Sequence, residues 1–198
     1  MILEGIVTTL DPTGEVHIAP MGPRVDAGMR RFQLRPFRTA HTYANLKAHG
    51  EGVLHVTDDV WLFAQAALGP VSPPPPVVPA ARTRGYVLKE ACRYYEFRVL
   101  AIDDHEERSC IEAELVHSGR FRDFFGFNRA KHAVIEAAIL ATRTDFLPLD
   151  EILADYRKLA VIVEKTGGPA EQRSFRFLDE HVRRIADVRT ESAEARRQ

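Results

Sequence analysis

The 198 residues include only two cysteines, Cys92 and Cys110, and these do not stand in a CxxC spacing. A zinc ribbon and a disulfide-stapled scaffold are thereby excluded, and two separate, reduced thiols are expected. Net charge is equally scarce: 27 Lys and Arg against 28 Asp and Glu leave -1 at neutral pH. Nothing in that balance favours nucleic acid or an anionic membrane as a partner. No apolar run approaches the roughly 20 residues that span a bilayer. The opening MILEGIVTTLDP carries Glu4 and no basic stretch, so no leader peptide is read there and a cytoplasmic protein is expected. GxSxG, GxGxxG and Walker-type sequences are all missing, which removes support from hydrolase and nicotinamide-fold readings.

What is present is an ordinary globular balance, 45% hydrophobic and 28% charged, enough for one large domain or a domain with an appendage. Up to about His117 the apolar residues recur with period two or in short runs. Ile2, Ile6 and Val7, the turn residues Asp11-Pro12-Thr13-Gly14, and Val16-His17-Ile18-Ala19 read as a hairpin that opens a barrel or sandwich. Residues 86–102 and 107–117 flank Asp103-Asp104-His105-Glu106 and read as a long hairpin. A turn centred near Asp104 and His105 sets Cys92 opposite a residue close to His117, away from Cys110. Two short helices are predicted, 41–49 stopped by Gly50 and 59–67 capped by Asp58 or Asp59. Between them and the long hairpin, GPVSPPPPVVPA at 69–80 predicts an extended polyproline-like loop packed over the barrel. Beyond Phe127 the period becomes helical. Asn128 caps a helix over 129–143, a second spans 149–166 and stops at Gly167-Gly168, and Pro169 starts a third that runs to about Thr190 before a frayed end. The expected fold class is mainly β with α: a β-barrel over 1–126 followed by a C-terminal helical region of about three helices over 127–198.

Two helix starts carry residues suited to an anion. Arg129, Lys131 and His132 occupy the first turn after Asn128, where the helix dipole is already positive and acids are preferred. A bound phosphate or carboxylate would explain that crowding; a solvated surface turn is the alternative. The second start is Arg38-Thr39-Ala40-His41-Thr42-Tyr43-Ala44-Asn45-Leu46, where a cation, two hydroxyls and free amides converge as a phosphate monoester requires, although Thr39 or Thr42 can equally be a plain N-cap. His132 and Glu136 share a helix face, but no third ligand is evident and no metal site is expected.

The segment HTYANLKAHGEGVLHV, residues 41–56, resembles the flavin-reductase-like split-barrel proteins, with Thr42, Asn45, Leu46, Gly50, Glu51, Val53 and Val56 matching their D-T-x-x-N-[LI] and G-E-x-V-x-N-V patterns. His41 replaces the usual Asp of that pattern and His55 the usual Asn. Over nearly its whole length the chain resembles the family catalogued as domain of unknown function 447. Glu4-Gly5-Ile6-Val7-Thr8-Thr9, Ala19-Pro20-Met21-Gly22, Thr42 to Leu46, Gly126 to Ala137 and Ala141-Thr142-Arg143 carry that likeness. The resemblance implies a six-stranded split barrel, FMN as cofactor, a homodimer with the flavin near its interface, and, weakly, a substrate related to tetrahydromethanopterin or one-carbon metabolism.

Under that resemblance Arg38, Thr39, Thr42, Asn45 and Leu46 are cofactor-binding candidates for the phosphate and ribityl chain, and the backbone at Met21 and Gly22 for the flavin ring. Asn128, Arg129, Lys131 and His132 complete the phosphate site or hold an anionic substrate. The expected function is an FMN-dependent oxidoreductase acting on a small organic molecule, with His55 and His132 as candidate proton donors. The alternatives are a non-catalytic FMN-binding module and a helical protein-interaction module using residues 149–190.

Overall fold

The first turn forms as its residues dictate: the Asp11 carboxylate accepts from the Thr13 and Glu15 amides at 2.8 and 2.9 Å and from the Thr13 hydroxyl at 2.7 Å. This turn joins β1 (Gly5–Leu10) to β2 (Val16–Met21) in the computed structural model, which describes residues 1–195 and the side chains of residues 1–192. There follow β3 (Arg24–Val25), β4 (Arg31–Leu34), α1 (His41–His49), β5 (Glu51–Val56), α2 (Val60–Leu68), β6 (Val77–Pro79), β7 (Tyr86–Leu88), β8 (Arg93–Asp103), β9 (Cys110–Arg120), α3 (Arg129–Ala141), α4 (Leu149–Thr166) and α5 (Pro169–Ala195).

The fold is mixed β and α. Seven antiparallel strands in the order β2-β1-β5-β8-β9-β4-β3 make one sheet, one strand more than the six implied by resemblance. The sheet curls into a half-barrel, and residues 1–3 bond back to β3: the Val25 N–H donates to Met1 O at 2.9 Å and the Leu3 N–H to Pro23 O at 3.0 Å. Closing in this way leaves no free row of β3 amides for another chain to pair with. β2 pairs only with β1, and all six of its residues are half-buried. Inside the curl, Val7, Phe32, Leu34, Leu46, Leu54, Phe97 and Ile111 form a buried cluster. Gly52 belongs to this packing, since a Cβ there would meet the Phe97 ring at 2.7 Å.

Two compact units can be distinguished. One comprises Met1–Asp58 and Pro70–Phe125, the other Asp59–Gly69 together with the chain from Gly126. The second unit therefore includes α2, whose Val60 and Ala64 are buried in one cluster with α3, α4 and α5. Its close packing follows from α3, which presents Ala130, Ala133, Ala137, Ala138 and Ala141 inward and lets other helices approach. The Tyr156 hydroxyl donates to Ala137 O at 2.6 Å within it, and burial drives that phenol's pKa upward.

Helix α1 spans the residues expected, α4 likewise, and α2 is capped by Asp59, which accepts from the Trp61 and Leu62 amides. Other expectations are corrected. The long hairpin is not continuous from residue 86: Tyr86–Leu88 is a separate strand paired with Val77–Pro79, which emerges from the proline-rich stretch. Its turn is also displaced. Asp103 pairs with Cys110 and Arg93 with Arg120, centring the turn between Glu106 and Glu107. Cys92 consequently lies by Phe121, which donates its amide to Cys92 O, rather than by His117. The cause is Asp104, drawn out of the hairpin to bind α1 as described below. Helix α3 ends at Ala141, two residues early, and α5 continues to Ala195; the last part of the expected frayed end, residues 196–198, lies outside the described residues.

Candidate functional site

Helix α1 begins without a capping side chain. Its N-cap is Ala40, with φ -80° and ψ 143°, and its first turn contains no acid, so the amides at that end keep their partial positive charge unmatched by any carboxylate of the helix. This corrects the reading of Thr39 or Thr42 as cap. Thr39 is exposed one position before Ala40, while Thr42 is the second residue of the helix and only 2% exposed. Among the described residues the Thr42 hydroxyl takes part in no hydrogen bond.

The opposite flank of α1 is pinned. Asp104 accepts from the Tyr43 hydroxyl at 2.5 Å and from Lys47 Nζ at 2.7 Å, and these two bonds, helped by the charge of Arg38, hold its carboxyl down at about 2. Exposed Arg38 thus lies within electrostatic range of Asp104, with its backbone N–H bonded to Glu107 O at 3.0 Å.

One residue that sequence reasoning did not single out joins this helix start. His17 on β2 sits with its ring centroid 5.4 Å from that of His41, the first residue of α1, at 51° between planes. Burial and then the neighbouring His41 push His17 below the usual imidazole pKa, and Asp11 partly opposes them. The available signal was the hairpin register, which sets His17 opposite Thr9 on β1. Thr9 in turn accepts the Asn45 amide at 3.0 Å in a buried bond.

His41, Thr42 and His17 therefore lie at one end of α1, with Arg38 and Thr39 just before it in the chain, and the donor set suits an oxyanion: free amides, a hydroxyl and two imidazoles. Asn45 and Leu46 are not displayed there in the way expected. The Asn45 amide ties α1 to β1, and Leu46 is fully buried in the barrel core, so its side chain is a packing element. Met21 packs its side chain against the same core, and Gly22 is exposed beside Glu4, whose carboxylate a Cβ at Gly22 would meet at 2.9 Å.

The start of α3 is built differently. Asn128 caps it by accepting the Lys131 amide at 3.0 Å while donating to Thr166 O at 3.1 Å. The Lys131 ammonium meets Glu171 at 2.9 Å, with side chains 18% and 9% exposed. Glu171 also accepts the Gly168 amide at 2.9 Å, and although burial raises its carboxyl, the Lys131 and Gly168 bonds bring it below the ordinary value. The cation that suggested an anion site is matched by a carboxylate 40 positions further along. Arg129 and His132 are exposed, the latter edge-on to Phe127.

His55 is corrected as a proton donor. It is 0% exposed; Nδ1 bonds Ile6 O at 3.1 Å and Nε2 accepts the Leu88 amide at 3.0 Å. Both nitrogens are occupied by backbone, and burial lowers the pKa to about 4. The ring is a neutral strut joining β1, β5 and β7.

Residues 3–122 match the family model described as the N-terminal domain of a protein of unknown function, DUF447, and residues 128–180 match the second DUF447 model. The chain belongs to the DUF447 family. A comparison with curated proteins found no match. Among solved structures, the fold is similar to that of an FMN-bound DUF447 protein from Methanosarcina mazei, at 23% identity over 91% of this chain and 94% of that one, with a TM-score of 0.79. More distant similarity extends to the 2-nitrobenzoate 2-nitroreductase of Pseudomonas fluorescens, at 16% identity over 60% and 64% of the two chains with a TM-score of 0.52. An FMN-binding protein from Thermus thermophilus compares at 13% identity over 60% and 70%, with a TM-score of 0.50. The flavin-reductase-like half-barrel is thus the fold of this DUF447 chain. Among the described residues no helix is long and apolar enough to cross a membrane.

Proposed function

We propose that this DUF447 chain is an FMN-binding flavoprotein that works as an oxidoreductase on a small organic substrate. The observation that carries the reading is the start of α1: uncapped, free of acids, and holding Thr42 in its first turn, in a fold whose relative from Methanosarcina mazei is FMN-bound. The residues fit a phosphate monoester. Arg38, Thr39, Thr42 and the first α1 amides would hold it, and the half-buried face of β2 around Met21, with exposed Gly22, would lie along the ring. Bound FMN would supply a ring that accepts and returns a hydride; the protein's share is to hold and orient it. We assign the cofactor to residues 1–126 and leave 127–198 as the helical region. A two-fold homodimer, a cytoplasmic location and a pterin-like substrate belong to the same proposal. Support for the dimer comes from exposed Phe121, Phe124 and Phe125, which are apolar surface that a second copy would cover.

The test is a pair of titrations. FMN and riboflavin differ only in the phosphate, and a charge-assisted hydrogen bond is worth roughly 1.5 to 3 kcal/mol, about 10- to 100-fold in affinity. Thr42→Ala with Arg38→Ala is expected to weaken FMN by that factor and leave riboflavin unchanged. Equal losses for the two flavins would refute the phosphate placement, and a purified protein that takes up neither flavin would refute the flavoprotein reading. Reduction of the bound flavin by NADH or NADPH, followed by reoxidation with an organic acceptor, separates an oxidoreductase from a non-catalytic flavin carrier.

A further inference from the structure

His17 and His41 face one another at the start of α1. Two imidazoles from different elements, β2 and the first position of α1, stand with centroids 5.4 Å apart at a helix start that already carries positive partial charge. Protonating either ring there costs energy unless an anion is present, because like charge and dipole both oppose it. A dianion placed against both rings reverses that balance.

We infer that His17 and His41 form a proton-coupled clamp for the phosphate of the flavin, taking up a proton as the phosphate enters and giving the site its preference for the phosphorylated cofactor. The inference rests on the FMN reading above and goes beyond it, since it makes occupancy depend on pH through two named side chains. Burial and the neighbouring imidazole already hold His17 below its usual value, so at neutral pH the empty site has a neutral ring there. The charged groups around the pair are few. Asp11, from the turn between β1 and β2, faces His17 but is engaged by Thr13 and the turn amides. Opposite His17 on β1 lies Thr9, a hydroxyl bound to Asn45. On the α1 side, Lys47 is committed to Asp104, and Arg38 precedes the helix within range of the same Asp104. The nearby carboxylates, Asp11 and Asp104, thus each have donors of their own, and the two imidazoles are left to meet an entering phosphate.

Calorimetric titration of the flavin-free protein with FMN at pH 7.5, in two buffers of different ionisation enthalpy, reads the protons taken up directly. At that pH the FMN phosphate is already mostly dianionic, so an uptake comes from the protein. Binding is expected to take up between half a proton and one proton, to strengthen severalfold and up to about tenfold per unit as pH falls from 8 to 7, and to lose both effects in His17→Gln with His41→Gln. Riboflavin is expected to bind with no proton uptake in either protein, and its unchanged affinity in the double variant shows that the barrel is folded. FMN that binds more tightly than riboflavin, but with no proton uptake or with the same uptake in the double variant, overturns the clamp and leaves the FMN reading standing. Failure of both flavins to bind the wild-type chain overturns both.

Discussion

Replacing Glu96 by Gln tests what holds the proline-rich connection in place. Glu96 lies on β8, 0% exposed, and its carboxylate reaches into the segment between β6 and β7. Oε1 accepts the Ala81 amide at 2.8 Å; Oε2 accepts the Arg82 amide at 2.7 Å, the Thr83 amide at 2.9 Å and the Thr83 hydroxyl at 3.2 Å. Glutamine keeps the shape but turns one acceptor into a donor. If its carbonyl takes the position of Oε2, its NH2 group faces the Ala81 N–H, and one bond becomes a clash of donors. The three that remain fall from charge-assisted strength, about 1.5 to 3 kcal/mol, to the neutral range of about 0.5 to 1.5. Together with the lost Ala81 bond these come to roughly 4 to 8 kcal/mol, comparable with half the stability of an ordinary domain or more.

Global unfolding is nevertheless not the expected result. Ala81 and Arg82 are exposed, so their amides can turn to water once released, and the cheaper response is to let residues 80–85 detach while the sheet stays folded. Amide hydrogen exchange read by NMR is the assay. Ala81, Arg82 and Thr83 are expected to lose most of their protection in Glu96→Gln, with Phe97 and Ile111 in the sheet unaffected; equal protection of 81–83 in both proteins would refute the anchor. Acid provides the same perturbation without mutation. Burial raises the Glu96 carboxyl, but the Ala81, Arg82 and Thr83 amides outweigh it and leave its pKa below the ordinary value. A lowered native pKa means the anchor is at full strength above the ordinary glutamate value, about 4.3, and fails as pH drops through the native one.

The buried histidine makes a second acid-sensitive point, and the α3 salt bridge a third place to measure. Because His55 is neutral and its pKa is lowered to about 4, the unfolded chain binds a proton that the folded one refuses between about 6.5 and 4. Stability is expected to fall by roughly 3 kcal/mol as pH drops across that window, seen as a declining urea midpoint, and a flat midpoint from 6.5 to 4.5 would show that the ring titrates freely. Lys131→Gln leaves the Glu171 carboxylate, 9% exposed, with the Gly168 amide but no cation, and is expected to cost on the order of 1 to 3 kcal/mol in thermal or urea unfolding of the flavin-free protein. An unchanged unfolding midpoint together with weaker FMN binding would return Lys131 to a ligand site.

Much of the architecture was legible because it is local. The turn at Asp11, the stop at Gly50, the caps at Asp59 and Asn128 and the helix over 149–166 each depend on residues a few positions apart, and each forms as read. The errors fall where a distant partner decides. Asp104 reads as a turn residue in the β8–β9 connection, but bonds to Tyr43 and Lys47, some 60 positions earlier, take it away and move the hairpin turn toward Glu106. Residues 77–79 read as polyproline loop because Pro79 and its neighbours disfavour an inner strand; as an edge pair with only β7 beside them they lose nothing by it. His55 read as a reactive group because histidine titrates near neutral pH, and only the tertiary fold shows that Ile6 and Leu88 consume both its nitrogens.

The two helix starts carry the same lesson into the choice of site. In the sequence α3 looks the stronger anion binder, with Arg129, Lys131 and His132 in its first turn, and α1 the weaker, with two threonines that can each be a cap. Counting cations near a helix start measures the wrong quantity; what matters is the charge and donor capacity left after internal partners are satisfied. At α3, Asn128 takes the Lys131 amide and Glu171 takes its ammonium, both inside one unit. At α1 neither threonine caps, no acid enters the first turn, and His17 arrives from β2 beside His41 as a further group able to meet an anion. A phosphate therefore has more to gain at α1, even though α3 has the more basic sequence. Chemical shift changes on adding inorganic phosphate to the flavin-free protein distinguish the two starts without any flavin present. The amides of His41, Thr42 and Tyr43 are expected to move and those of Arg129, Ala130 and Lys131 to stay, and the opposite pattern would mean that the Lys131–Glu171 pair opens to admit an anion and that α3 holds the site.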